Sequence, residues 1–419
     1  MVNGDVTLSA IELFVALVAA AAVVALLARR VALPYTVSLV VFGLGAAVIG
    51  ADAIDFEITP ELVLAVLLPG LIFDAAYRID FKELSGSFGG VALLAVPGVL
   101  FVAGLVAVVL HLATGLPIEL GFVVGAMVSA TDPAAVIATF KRLSSPRRLA
   151  TLVEGESLFN DGTALVVFAI SLRAVQSQVG LAEASLTFVG TVVISTLIGV
   201  VAGFLASRII ATVDDHLIEL TISLVAAYGT YLIADAFHES GIIATVVAGI
   251  VIGNYGRRIG MSPRTEEALD TVWEFFAFLL TALVFLLVGL AITLPQLVDS
   301  VVPILWGVAA ILVGRALVVY LLLGVSSRLL RGRRSFGDVI PIPWLHVTFW
   351  SGLRGAVAVA MALSLPSDFP QRVLLQEITF GVVLFTLLVQ GTTVELVIRR
   401  SGTGAEAGGR PEQEPAVPR

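Results

Sequence analysis

Residues 118–140 read IELGFVVGAMVSATDPAAVIATF, an apolar run with the polar stretch SATDPAA (129–135) in its middle. The run has the roughly 20-residue length that a helix needs to cross the hydrocarbon of a bilayer. A proline and an aspartate at its centre oppose a continuous apolar helix. Proline removes an amide donor, and an ionised side chain at the bilayer centre costs about 2.5–3.5 kcal/mol on insertion scales. A second run, 339–365, is broken in the same way by SGLRGA (351–356), where Gly352 and Gly355 weaken the helix around Arg354. The reading that follows is of two membrane helices, each interrupted by a small, polar, charged segment.

The composition sets both runs in a polytopic membrane protein. Of 419 residues, 58% are hydrophobic and 13% charged, with a mean hydropathy of +1.04. Soluble domains carry about 25% charge, and half of that leaves too little polar surface to face water. Apolar runs broken by charge, glycine or proline predict an all-α protein of about thirteen spans. They lie near 8–28, 33–50, 60–77, 87–111, 118–140, 149–172, 184–211, 217–235, 240–254, 271–293, 299–327, 339–365 and 373–398. The first has no basic segment before it and no small-residue cleavage site after it, so it reads as a retained span and not a signal peptide. Residues 401–419 are rich in glycine, glutamate and proline and read as a disordered tail.

Several function classes drop out. With no cysteine there are no disulfides, thiolate metal sites or cysteine nucleophiles. The four histidines (His111, His216, His238 and His346) include no pair at metal-ligand spacing. No GxxxxGK[ST] run marks a nucleotide site, and a net charge of −8 does not suggest nucleic acid. Neither an enzyme nor a bound cofactor is expected.

The basic residues test the span count. With the N-terminus outside, the inner loops and the tail receive twenty of the 24 lysines and arginines, while the outer loops hold only Arg173 and Arg372. The alternation holds across every loop and predicts an outside N-terminus and a cytoplasmic C-terminus. Thirteen spans divide into two six-span halves of inverted topology, about 8–172 and 217–398, joined by a linker helix at about 184–211. Many secondary transporters are built from such repeats and bind their substrate near the midplane between them. The two interrupted runs are the fifth spans of their halves. A proline or a glycine pair alone is weak evidence, whereas charged breaks at matched positions carry more.

Charged residues within spans need a reason. The inner candidates are Asp74, Asp132, Glu154, Glu156, Asp161, Arg315 and Arg354, three of them within LVEGESLFNDGTALVVF (152–168). On a helix Ser157 and Asp161 share one face, and Glu156 and Asn160 share the neighbouring face. The first face offers oxygen ligands suited to a hard monovalent cation or a proton; the second offers a carboxylate suited to an arginine. Asp74, Asp132, Glu156 and Asp161 outnumber the two arginines, which leaves about two carboxylates without a fixed partner. A buried carboxylate of that kind is stable when protonated or when ionised beside a bound cation. That is the minimal chemistry of cation/proton exchange.

Together ATDPAAV (130–136), GESLFND (155–161), LLPGLIFDAAY (67–77) and SGLRGAVAVA (351–360) resemble the bacterial and archaeal electroneutral sodium/proton antiporters, relatives of the animal sodium/proton exchangers. The likeness covers about residues 8–400, with the four motifs in the family's order. It implies a bacterial inner-membrane homodimer in which the two interrupted helices cross. It implies that Asp161 alternates between a proton and sodium or lithium, with sodium held by Asp161, Ser157 and Thr131. Asn160 stands where electrogenic relatives carry a second aspartate, which implies one proton per cation. Thr131 and Asp132 fall at the unwound crossing. Asp74 takes the family's acidic position in the third span, where its shorter side chain puts direct contact with the ion in doubt. The resemblance implies a structural ion pair between Glu156 and Arg354, with Arg315 an alternative partner for Glu156 or Asp132. The 19-residue tail is shorter than the cytoplasmic regions of the animal exchangers, so regulation by such a domain is not expected.

Rival readings stay open on the sequence alone. Asp161 could be a hydrogen-bonded structural carboxylate, and Glu154 could simply reach a water-filled funnel. Glu12, Asp235, Glu274, Glu377 and Glu395 lie near span ends, where snorkelling suffices. His346 could sense pH or merely face a cavity. The same fold could exchange potassium for protons. A cation channel or an ion-coupled symporter is more remote, and near the second break only Trp344, Phe349 and Trp350 could build an organic pocket.

Overall fold

The computed structural model describes residues 4–31, 34–49, 59–177, 180–292, 294–330, 332, 336 and 339–404. Residues 405–419, most of the tail expected to be disordered, lie outside them. Every regular element among the described residues is helical: α1 (Gly4–Val31), α2 (Tyr35–Ile49), α3 (60–78), α4 (Phe81–Thr114), α5 (Ile118–Ser129), α6 (Ala134–Leu143), α7 (Arg147–Gln176) and α8 (Leu181–Ile210), followed by α9 (His216–Ala236), α10 (Gly241–Ile259), α11 (Pro263–Ala291), α12 (Leu294–Asp299), α13 (Val301–Leu329), α14 (Ile342–Trp350), α15 (Ala356–Leu363) and α16 (Arg372–Arg400). Nine helical stretches among the described residues are long and apolar enough to cross a membrane, with α5 and α6 counted as one. The other apolar runs of the sequence fall on α1, α2, α3 and the α14–α15 pair.

Helix starts follow the capping residues. The Asp80 carboxylate accepts the Lys82 amide at 2.7 Å to open α4, and Asp215 accepts Leu217 at 2.9 Å to open α9. Ser240 and Ser262 cap α10 and α11 in the same way. Gly115, at φ +73°, closes α4 in the left-handed conformation that glycine adopts without strain. Among the described residues five π-helical stretches occur inside longer helices. One of them, Leu94–Gly98, takes up Pro97 within α4. Periodicity alone had not revealed them.

The two interruptions lie where the sequence put them. The chain leaves helical geometry at Ala130 and resumes at Ala134, then breaks again between Trp350 and Ala356. The breaks touch: the Asp132 amide donates to the Leu353 carbonyl at 2.9 Å. A side chain at Gly355 would run into Asp132, with its Cβ 2.8 Å from Asp132 Cγ. Glycine at 355 therefore permits the approach.

Around this centre α5 packs on α4 and α7, and α15 packs on α16 and α5. Small residues bring α4 and α5 together, Gly121 against Ala107 and Gly125 against Ala103. Such small-xxx-small pairs let membrane helices approach closely. On the other side α2 packs on α11, and α10 packs on α3 and α8. A smaller apolar cluster of Phe73, Tyr77, Ile210, Leu269 and Trp273 joins α3, α8 and α11. Half of α8 is exposed, including Leu186, Val189, Leu197 and Leu205, as expected of a helix facing lipid.

Leucine at Gly125 would place its Cβ 2.7 Å from Ala103 Cα. Gly125→Leu is expected to destabilise the protein by about 3 kcal/mol, the upper end of overpacking costs. Gly104→Leu, whose Cβ meets nothing within 4 Å, should be neutral. Thermal unfolding of the two purified variants in detergent checks both.

Candidate ion-binding site

An unwound segment deep in an apolar protein needs partners for its amides and carbonyls. At the first break α7 supplies them. The Asn160 carboxamide oxygen accepts the Thr131 amide at 3.2 Å, and its nitrogen donates to the Thr131 hydroxyl at 2.6 Å. The Ser157 hydroxyl donates to the Thr131 carbonyl. Asp132 Oδ1 accepts the Ala134 amide at 3.0 Å and so caps α6. At the second break the Thr386 hydroxyl accepts the Arg354 amide at 3.0 Å, and the Arg354 guanidinium donates to the Gly352 carbonyl at 2.5 Å. Thr131, Ser157 and Asn160 are all buried.

Asp161 lies one helical turn beyond Ser157. It is 9% exposed, and its Oδ1 is buried without a hydrogen-bond partner. No cation pairs with it among the described residues. Asp132 acts on it as a nearby like charge. Asp161, Ser157, Thr131 and Asp132 together line a cavity of about 600 Å³ that extends to the exposed Lys141 and Arg142 at the end of α6. Hydroxyl, carbonyl and carboxylate oxygens at the inner end of such a cavity are the donor set of a hard cation. They can equally hold a proton on Asp161.

The remaining candidates divide. Asp74 lines the same cavity, but its carboxylate is engaged by Arg78 at 2.7 Å. That partner was readable one turn further along α3. Asn160 is not on the cavity wall; it is held by Thr131. Glu156 does not pair with Arg354. Its two oxygens are taken by the two terminal nitrogens of Arg315, the second contact at 2.9 Å, and Arg315 also donates to the Thr348 carbonyl at 2.8 Å. A bidentate arginine engages both oxygens of the carboxylate at once and neutralises its charge. Arg354 is 2% exposed and forms no ion pair among the described residues; its charge acts on Glu156 and Asp161 over a longer range.

The side chains left with rival readings take several settings. Glu377 is buried and accepts a hydrogen bond from Ser300. Glu274 and Glu154 line the cavity. Glu395 pairs with Arg142 and Arg399. His346 is exposed on α14 and bonded to the Tyr320 hydroxyl at 2.7 Å. Trp350 donates to Thr393 at 2.8 Å and packs at a tilt against Phe349, which makes these aromatics packing residues.

Residues 16–400 match the family model described as sodium/hydrogen exchanger, transmembrane. The chain belongs to the sodium/hydrogen exchanger family. It is similar to the low-affinity Na(+)/H(+) antiporter NhaS1 of Synechocystis, 39% identical over 88% of this chain and 69% of that one. It is 40% identical to the Na(+)/H(+) antiporter ApNhaP of Aphanothece halophytica, over 88% and 70%. The Na(+)/H(+) antiporter NhaH of Halobacillus aidingensis is 35% identical over 92% and 96%. In fold, the chain resembles the sodium proton antiporter MjNhaP1 of Methanocaldococcus jannaschii. The TM-score is 0.75 over 94% of this chain and 99% of that one, at 19% identity.

Removing Arg315 strands the Glu156 carboxylate in the core. Arg315→Ala is expected to cost about 3–5 kcal/mol, the usual penalty for breaking a buried pair from one side. The double variant Arg315→Ala/Glu156→Ala should recover part of that loss. Unfolding midpoints of the three proteins in detergent provide the check.

Proposed function

We propose that this family member is a secondary-active antiporter exchanging sodium, or lithium as a surrogate, for protons by alternating access. Proton and cation compete for Asp161. The observation that carries the reading is the Asp161 carboxylate itself, buried at the cavity wall, with no ion-pair partner among the described residues and with one oxygen unsatisfied. Ionised and empty, it would be costly there; protonated or cation-bound, it is stable. The antiporter names of the relatives support the same reading.

In the cation-bound state, Asp161 supplies charge, while Ser157 and Thr131 supply neutral oxygens. Asp132 adds negative potential from the neighbouring break, and Asp74, held by Arg78, reaches the ion through water. Asn160 cannot take a proton and is committed to Thr131, so one proton per cation makes the exchange electroneutral. The two joined breaks would sit at the midplane of thirteen spans built as inverted halves, about 8–172 and 217–398. The outside N-terminus and cytoplasmic C-terminus follow from the distribution of basic residues, and a homodimer in the bacterial inner membrane follows the family. No cofactor enters the cycle, only the two transported ions.

Proton flux into proteoliposomes with a preset pH gradient and a pH-sensitive dye tests the reading. Sodium should give a saturable response that is unchanged when the membrane potential is clamped. The response should weaken as the pH falls, because a protonated Asp161 cannot take the cation. Asp161→Asn should abolish the response in folded protein. Full exchange in that variant, or a response to potassium alone, would contradict the proposal.

A further inference from the structure

The cavity holds more charge than the exchange step uses. Besides Asp132 and Asp161 its wall carries Glu154 and Glu274, neither of which has an ion-pair partner among the described residues. Of the cationic side chains on the wall, Arg78 is bound to Asp74 and Arg142 to Glu395. Lys141 has no ion-pair partner among the described residues, and it is one of two lysines in the protein. It stands near the end of α6, the helix that Asp132 caps.

Glu154 comes seven residues before Asp161 on α7, with Ser157 between them. Two helical turns put Glu154 and Asp161 on one face, about 10 Å apart along the axis. Glu154 thus marks a shallower position on the path to the buried carboxylate. Lys141 and Glu154 act on one another electrostatically, and both act on Asp74 or are acted on by it. A cation moving along this wall passes the Lys141 ammonium and the Glu154 carboxylate on its way to Asp161, with Glu274 a second carboxylate on the cavity lining.

We infer that Lys141 and Glu154 are an opposed pair that sets the cation concentration at which the site fills from the cavity side, Glu154 lowering it and Lys141 raising it. Neither touches the ion when it rests at Asp161, so both act through the potential along the entry path. An ammonium fixed there competes with sodium for the negative potential of the cavity and weakens loading without blocking it. The inference rests on the sodium/proton reading.

Rates against sodium concentration in proteoliposomes separate the possibilities. Lys141→Gln should lower the half-saturating sodium concentration about two- to fivefold, the scale of one charge acting through a partly hydrated cavity. Its maximal rate should stay within about twofold of the unsubstituted protein on the same grounds. Glu154→Gln should raise the half-saturating concentration by a similar factor, and the double variant should return near the starting value. Lys141→Arg should behave like the unsubstituted protein. Added choline chloride should shrink each difference, because salt screens charges in a water-filled space.

A half-saturating concentration unchanged in both single variants overturns the inference, as does a loss of maximal rate without a change in that concentration. If the unsubstituted protein shows no sodium-driven proton flux, the functional reading itself has failed. If it does, and Asp161→Asn is silent while Lys141→Gln and Glu154→Gln change nothing, only the opposed pair is rejected.

Discussion

The structure depends on one constraint: two stretches of unwound backbone lie inside an apolar protein, where water does not reach every amide and carbonyl. The two breaks satisfy each other through the Asp132–Leu353 hydrogen bond, and helices on either side complete the set. Asn160 and Ser157 hold Thr131, while Thr386 holds Arg354. Asn160 and Ser157 project from an uninterrupted stretch of α7, and Thr386 from the start of a π-helical stretch within α16. Gly355 allows the close approach, and the small faces of α4 and α5 hold the first broken helix in place. The same hydrogen bonds aim the Thr131 oxygens and the Asp132 carboxylate at one cavity.

Charge follows backbone. Buried Glu156 is neutralised by Arg315 through two contacts, a pair that ties α7 to α13. Asp74 is neutralised by Arg78 within α3. At the first break this leaves a carboxylate at Asp132 that caps α6 and, beside it, one at Asp161 that has no ion-pair partner among the described residues. Arg354, buried and with an unpartnered Nε, supplies positive potential from the second break without closing on any carboxylate. A site with its negative charge incompletely compensated favours whichever positive species arrives, proton or metal ion.

Much of this was legible in the sequence because hydrocarbon punishes polar groups. SATDPAA and SGLRGA stand out against apolar surroundings, and helix periodicity alone brings Ser157 and Asp161 to one face. Other features were hidden because they depend on distance across the fold. Four acids and two arginines in the spans suggested two unpaired carboxylates, but the count omitted Arg78, which sits at a helix end. The partner of Glu156 stayed open between two arginines: Arg354 shares a motif with the break, whereas Arg315 lies 159 residues from Glu156 and meets it only in the folded bundle. Glu377 was read as a span-end residue because no local pattern announces Ser300 beside it. The π-helical stretches left no periodic trace, since each displaces a helix by a single residue.

Proton release on sodium binding to the purified protein in detergent, followed with a pH indicator in weakly buffered solution as the starting pH is varied, tests the competition at Asp161 most directly. The account predicts release of up to one proton per sodium bound where Asp161 starts protonated, and no release from Asp161→Asn. Sodium binding without proton release at every pH, or equal release from both proteins, would contradict it.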